Sequence, residues 1–216
     1  MTKLLLLRHG ETEGNVQQVW HGALDAPLTV RGQQQVAAAV QYICDFHRRT
    51  PIDHLIVSPL PRALRTATPI AQALNLPLQI DPGLREFDLG DWEGRTFVEL
   101  RDKENLWGRW RQEPTFAPPH GESPRSFHTR ILQALQQLVA LHPAQTVLAV
   151  THGGVICNAL AAWLGTGPDD WRNWEPHNCA LTVLERVGEQ WQPIVVNDIS
   201  HLPAEAIVQA DTSVYA

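Results

Sequence analysis

Four consecutive leucines, Leu4 to Leu7, open the chain's pattern, and so short an uninterrupted apolar run predicts a strand buried on both faces. Residues 30–49 then place Val36, Ala39, Val40, Ile43 and Phe46 at helical spacing, with Thr29 as N-cap and Pro51 as stop. Residues 54–57 (His-Leu-Ile-Val) read as a second buried strand, residues 62–73 as a helix, and residues 76–80 as a third strand. The order to this point is βαβαβ. From residue 81 to 123 periodicity gives way to prolines, glycines, clustered charge and Trp92, Trp107 and Trp110, with helical turns expected only within 96–112. Excursions of that length inside a compact domain are usually functional. Ser123-Pro124 starts a helix to about Leu141. Residues 146–150 form the most strand-like run of the chain and end at Thr151-His152-Gly153-Gly154 before another helix. Residues 180–185 and 191–196 close the pattern as two strands joined at Gly188.

This alternation predicts an α/β fold: a three-layer sandwich with a mostly parallel central sheet flanked by helices, and a small irregular or helical cap at about 81–123. The 216 residues, 44% of them hydrophobic, suffice for one domain spanning 1–216. A formal charge of −6 argues against nonspecific binding to nucleic acid or anionic membranes, so any cationic site is local. The leucine run is too short for a signal peptide or a membrane span, which implies a cytoplasmic protein. Cys44, Cys157 and Cys179 are odd in number and widely spaced, which suggests buried small residues and neither disulfides nor a zinc site. A helix face or a closing edge strand leaves a homodimer open.

Three strands end in groups suited to an anion: Arg8 and His9 after the first, Arg62 just past the second, and His152 after the late one. Parallel strands point those ends the same way, where ligands of α/β sheets bind. Arginine forks match phosphate oxygens, and an unprotonated imidazole nitrogen is a nucleophile. The N–H groups of Gly10 and Gly153 add candidate donors. Glu86, between apolar Leu84 and Phe87, is the candidate acid, with Asp88, Asp91 and Glu93 as rivals. His21, His120 and His201 read as surface or structural residues, though His21 and His120 flank loops within reach of a pocket. Trp107 and Trp110 are expected to pack a cap onto the core first and to meet substrate second.

In order along the chain, Arg8-His9-Gly10-Glu11-Thr12 with Asn15, Ser58-Pro59-Leu60-Pro61-Arg62-Ala63 with Thr66-Ala67, and Leu84-Arg85-Glu86 with Gly90 and Trp92-Glu93-Gly94 are followed by His120-Gly121-Glu122-Ser123 and Val150-Thr151-His152-Gly153-Gly154. Together these resemble the histidine phosphatase superfamily in its phosphoglycerate mutase-like branch. The resemblance implies a covalent phosphohistidine route in which His9 is the nucleophile and Glu86 the general acid. It assigns Arg8, Arg62 and His152 to the phosphoryl oxygens and Asn15 to a further phosphate contact. The route it implies uses no metal and no cofactor and acts on a small phosphorylated metabolite. The family's cofactor-dependent mutases carry a longer insertion and a Tyr three residues after the acid. Here Leu89 stands there, and about three dozen residues separate Glu86 from Gly121. That favours the short phosphatases, whose members include α-ribazole phosphate, phosphoserine-type and broad-specificity enzymes. Lys103 and Arg109 in the excursion keep phosphoglycerate mutase-type transfer as the alternative, and a noncatalytic phosphoryl-binding module is a second. The latter predicts loss of the nucleophile or the acid, and both are present.

Overall fold

The computed structural model describes residues 1–165 and 167–207. Strand β1 (Lys3–Arg8) is followed by a one-turn helix α1 (Glu13–Val16), the long α2 (Val30–Arg49), β2 (His54–Val57), α3 (Pro61–Leu74) and β3 (Leu78–Ile80). The excursion carries α4 (Phe97–Asp102) and α5 (Leu106–Gln112), after which come α6 (Pro124–Leu141), β4 (Thr146–Thr151), α7 (Gly153–Trp163), β5 (Leu181–Val187) and β6 (Gln190–Asp198). The strands form one sheet in the order β3-β2-β4-β1-β5-β6. β4 lies between β1 and β2 and is parallel to both, while β5 and β6 run antiparallel at one edge. The mostly parallel α/β architecture expected from the pattern is therefore present.

The leucine run of β1 shows why the fold has three layers. All four side chains are fully buried, and alternation sends Leu4 and Leu6 to one face and Leu5 and Leu7 to the other. Leu4 and Leu6 join a cluster with Ile131 and Leu135 of α6 and Ile156 and Leu160 of α7. Leu5 and Leu7 join Ile43 of α2 and Ala63, Ala67 and Ile70 of α3. A strand fully covered by helices on both faces needs an unbroken apolar sequence, and this one has it.

Several boundaries differ from the pattern for local reasons. β3 starts at Leu78 rather than residue 76, because Asn75 ends α3 in the left-handed region (φ 51°) and residues 76–77 are spent leaving the helix. The helix α1 escapes periodicity because it is four residues long and rests on a capping box between Thr12 and Asn15. Another capping box, Thr96 with Glu99, starts α4 in the excursion. Cys157 and Cys179 are buried and Cys44 half-buried, and all three are free thiols. Among the described residues no helix is long and apolar enough to cross a membrane.

Candidate active site

The ends of β1, β2 and β4 open onto a cavity of about 1010 Å³ whose floor includes Arg8, His9, Arg62 and Asn15. His9 follows β1 directly, and its main chain is pinned on both sides. His9 N–H donates to Thr151 O of the neighbouring strand (2.9 Å), while the Cys179 N–H reaches Arg8 O and His9 O (3.1 and 3.3 Å). The imidazole is only 4% exposed. Its Nδ1 lies 2.8 Å from Gly10 O, and a carbonyl only accepts, so Nδ1 carries the hydrogen and Nε2 the lone pair. Arg62 Nε donates to that Nε2 at 3.3 Å, the contact the tautomer requires. Burial, then the charges of Arg62 and Arg8, hold the His9 pKa well below its ordinary value, with the Gly10 carbonyl opposing them. The side chain is thus a neutral imidazole presenting one lone pair into a cationic pocket.

Arg62 sits one residue into α3, where Pro61 at the first helical position sets the turn. Its guanidinium is fixed by the carbonyls of Leu24 (Nη1, 3.0 Å) and Gly22 (Nη2, 2.9 Å) as well as by His9. Arg8 donates from Nη1 to Pro176 O (2.5 Å), and its buried Nε has no partner among the described residues. A buried guanidinium N–H without an acceptor is costly, so Arg8 keeps a donor in hand for an anion.

His152 is fully buried behind His9, their rings meeting edge to face with centroids 5.2 Å apart, and it does not itself line the cavity. Its Nε2 lies 2.7 Å from Ser58 Oγ, which already accepts the Leu60 N–H (3.3 Å). The hydroxyl can donate to Nε2 or accept from it, and Nδ1 is buried without a partner among the described residues. Burial first, then Arg62, His9 and Arg8, keep this imidazole also well below its ordinary pKa.

Asn15 lines the cavity at the N-terminus of α1. Its Oδ1 accepts from Thr12 N (3.0 Å), Thr12 Oγ1 (3.0 Å) and Asn178 Nδ2 (3.3 Å), which leaves Nδ2 as the group turned to a ligand. Gly153 opens α7 against Arg8, where an added Cβ would stand 3.3 Å from the guanidinium carbon. Gly10 differs from expectation. Its N–H donates to Thr66 Oγ1 (3.0 Å), so it braces α3 and is not a free donor for an anion.

Glu86 projects from the loop that begins the excursion, and both its oxygens are held, Oε1 by Phe87 N–H (2.9 Å) and Oε2 by Gly154 N–H (3.0 Å). A Cβ at position 154 would lie 2.2 Å from Oε1, so glycine is what lets α7 approach the carboxyl. Of the acidic run, Glu86 alone lines the cavity. Asp88 accepts Gly90 N–H, Asp91 meets exposed His120, and Glu93 receives the N–H groups of Ala23 and Leu24 (2.6 and 2.8 Å). His21 faces the cavity with its ring against Gly14, whereas His120 stands outside it and His201 bonds Cys179 O.

Three residues at this site carried no individual assignment in the sequence. Ser58 orients His152. Asn178 spends both amide hydrogens, one on His9 O (3.0 Å) and one on Asn15 Oδ1. Arg130 clamps the Glu86 loop by donating to the carbonyls of Gly83 (2.9 Å), Arg85 (3.0 Å) and Glu86 (3.4 Å), and it also pairs with Glu122. Glu122 accepts Asp88 N–H (3.0 Å), and Ser123 caps α6, so the Gly-Glu-Ser motif is a brace for the loop that carries Glu86. Ser58 was visible within its motif. Asn178 and Arg130 carried no local signal.

The family model for the histidine phosphatase superfamily (branch 1) matches residues 4–199. A probable phosphoglycerate mutase, GpmB of Enterobacter sp. (strain 638), is 32% identical over 214 residues, spanning 96% of this chain and 98% of its own. Among solved structures, phosphoserine phosphatase from Entamoeba histolytica in complex with 3-phosphoglyceric acid superposes with a TM-score of 0.81 at 29% identity, covering 94% of this chain and all of its own. A putative α-ribazole-5'-P phosphatase from Escherichia coli gives 0.79 at 27% identity, covering 92% and 98%.

Proposed function

The chain belongs to the histidine phosphatase superfamily, and from that premise we propose that it hydrolyses phosphomonoesters through a phosphohistidine on His9, without a metal. The observation that carries this reading is the tautomer of His9. Its Nδ1 is committed to Gly10 O, so Nε2 holds an unprotonated lone pair beneath the Arg62 fork. Nε2 attacks phosphorus, the bond to the leaving oxygen breaks, and Glu86 supplies the proton that turns the departing alkoxide into an alcohol. A phosphomonoester entering as its monoanion brings that proton with it. Water then attacks the phosphohistidine, Glu86 takes the water's proton, the P–N bond breaks, and phosphate leaves with His9 neutral again.

The donors left unused around His9 match the charge that develops. Arg8 Nε is buried without a partner among the described residues, and with the guanidinium of Arg62 and the Asn15 amide it supplies the electrostatic stabilisation that phosphoryl transfer needs, His152 standing behind His9. The three free thiols suit a reducing, cytoplasmic setting.

Phosphoglycerate mutase-type transfer is the second reading, favoured by the probable mutase among the relatives. It requires cations around a substrate carboxylate. Lys103 pairs with Glu99 (2.9 Å) and Arg109 lies over the ring of Phe116 (5.0 Å), and neither lines the cavity, whereas Arg111, Arg125 and Arg172 do, so the products formed decide between the two readings. Rapid acid-free quenching with a labelled phosphomonoester should trap an acid-labile, base-stable phosphoenzyme. His9→Ala should remove it and lower turnover by at least about 10⁴-fold. Undiminished turnover in His9→Ala would overturn the mechanism, and conversion of 3-phosphoglycerate to 2-phosphoglycerate without phosphate release would favour the mutase.

A further inference from the structure

Residues 176–179, just before β5, form a strap beside the end of β1 that holds three residues of the phosphate site. Pro176 O accepts Arg8 Nη1 (2.5 Å), Asn178 Nδ2 reaches His9 O and Asn15 Oδ1 (3.0 and 3.3 Å), and the Cys179 N–H serves Arg8 O and His9 O. The strap is itself gripped by two side chains from beyond β5. His177 N–H donates to Asn197 Oδ1 (2.9 Å), and Cys179 O accepts from His201 Nε2 (3.1 Å). Pro176, His177 and Asn178 line the cavity, whereas Asn197 and His201 do not.

Both grips are built by local departures from regular structure. Leu181 faces Asp198 and Val183 faces Val195, so β6 carries one residue more than β5 over that interval, a β-bulge. Asn197 takes up the extra residue in the left-handed region (φ 54°), which asparagine tolerates better than most side chains, and its own N–H is pinned by the buried Thr182 Oγ1 (3.1 Å). Bulges re-aim side chains, and this one delivers the Asn197 oxygen to the His177 N–H. His201 is held by Tyr42 of α2, whose ring stacks on it (centroids 4.6 Å apart, planes 15° apart) and whose hydroxyl donates to Asp198 Oδ2 (2.5 Å). A carbonyl only accepts, so the His201 Nε2 carries the hydrogen given to Cys179 O, and its Nδ1 is buried without a partner among the described residues.

Resting on the phosphatase reading, we propose that Asn197 and His201 are positioning residues, which hold the strap where Arg8 and Asn15 meet the phosphoryl group. The antiparallel edge of the sheet then sets phosphate affinity without touching the ligand. A left-handed residue inside a strand is costly and persists where the surrounding structure demands it, and here the demand comes from the strap.

The test measures the calorimetric Kd for inorganic phosphate beside KM and kcat for 4-nitrophenyl phosphate. Asn197→Gly lets the backbone keep the bulge and removes the acceptor, so Kd and KM should both rise about tenfold while kcat changes less than about threefold. Asn197→Asp returns an acceptor oxygen at a position that tolerates it, and Kd should come back to within about threefold of the unmodified enzyme. If Asn197→Gly fails to fold, His201→Phe, which keeps the stack on Tyr42 and loses the donor, should raise Kd and KM about fivefold. A lower melting temperature with Kd and KM unchanged, or a rise in Asn197→Asp equal to that in Asn197→Gly, overturns the inference and leaves the phosphatase reading standing. If the unmodified enzyme binds phosphate but releases none from 4-nitrophenyl phosphate or ethyl phosphate, the phosphatase reading falls and the Kd comparison still decides the role of the strap. Binding of no phosphate at all overturns both.

Discussion

One end of the cavity is held together by directed hydrogen bonds, and the other by packed aromatic rings. The floor is a lattice of directed bonds: His9 held by Gly10, Arg62 and Asn178, Arg62 held by two carbonyls, and Glu86 held by two amides. The wall is built from the rings of Phe87, Trp110, Trp107 and Trp20, which touch in series with centroids 4.7 to 5.8 Å apart. Hydrogen bonds fix position to a fraction of an ångström, which in-line attack requires, while ring contacts tolerate different shapes. On the proposed reading the directed bonds at the strand ends carry the phosphoryl chemistry.

The sharpest way to break this contrast is to disturb the floor while sparing the wall. Gly154→Ala puts a methyl group 2.2 Å from Glu86 Oε1, so kcat for ethyl phosphate should fall by about 100-fold. Hydrolysis of 4-nitrophenyl phosphate, whose leaving group needs no proton, should fall far less, and equal losses on both substrates would show that the acid is not what the glycine protects. Asn178→Ala frees His9 O and the Asn15 amide, and about a tenfold loss in kcat/KM with most of it in KM should follow as Asn15 turns away from the phosphate. A thermal shift with unchanged KM would make Asn178 merely structural. Smallest of all, Lys103→Ala should change phosphate release from 3-phosphoglycerate by less than about twofold, because its exposed ion pair with Glu99 is worth little and lies off the cavity.

The floor was the more legible end for a physical reason. Arg8, His9 and His152 stand at the ends of apolar runs, and the parallel arrangement of β1, β2 and β4 brings strand ends together whatever the loops do. What could not be read there were residues acting over long sequence distances. Asn178 reaches His9 across 169 positions, and Arg130 reaches the Glu86 loop across 44 to 47, with no periodicity to announce either. Gly10 misled because a glycine N–H after a strand looks free until the Thr66 hydroxyl is seen against it. In the excursion, helical turns were legible within 96–112, yet the ring array depends on Trp20, contributed from the loop after α1, and Trp spacing in one segment says nothing of a ring supplied by another.

That contribution from Trp20 comes with a ladder. Its N–H donates to Arg95 O (2.9 Å), its carbonyl accepts from Gly94 (2.9 Å), and Phe97 N–H donates to Gln18 O (3.0 Å) around the Val19–Thr96 bridge. The segment that follows the nucleophile is in this way stitched to the base of the cap, and parting them sacrifices three main-chain bonds at about 1 kcal/mol each. The cap is thus tied to the core by main-chain bonds as well as by ring contacts, so substitutions of its side chains leave this seam in place.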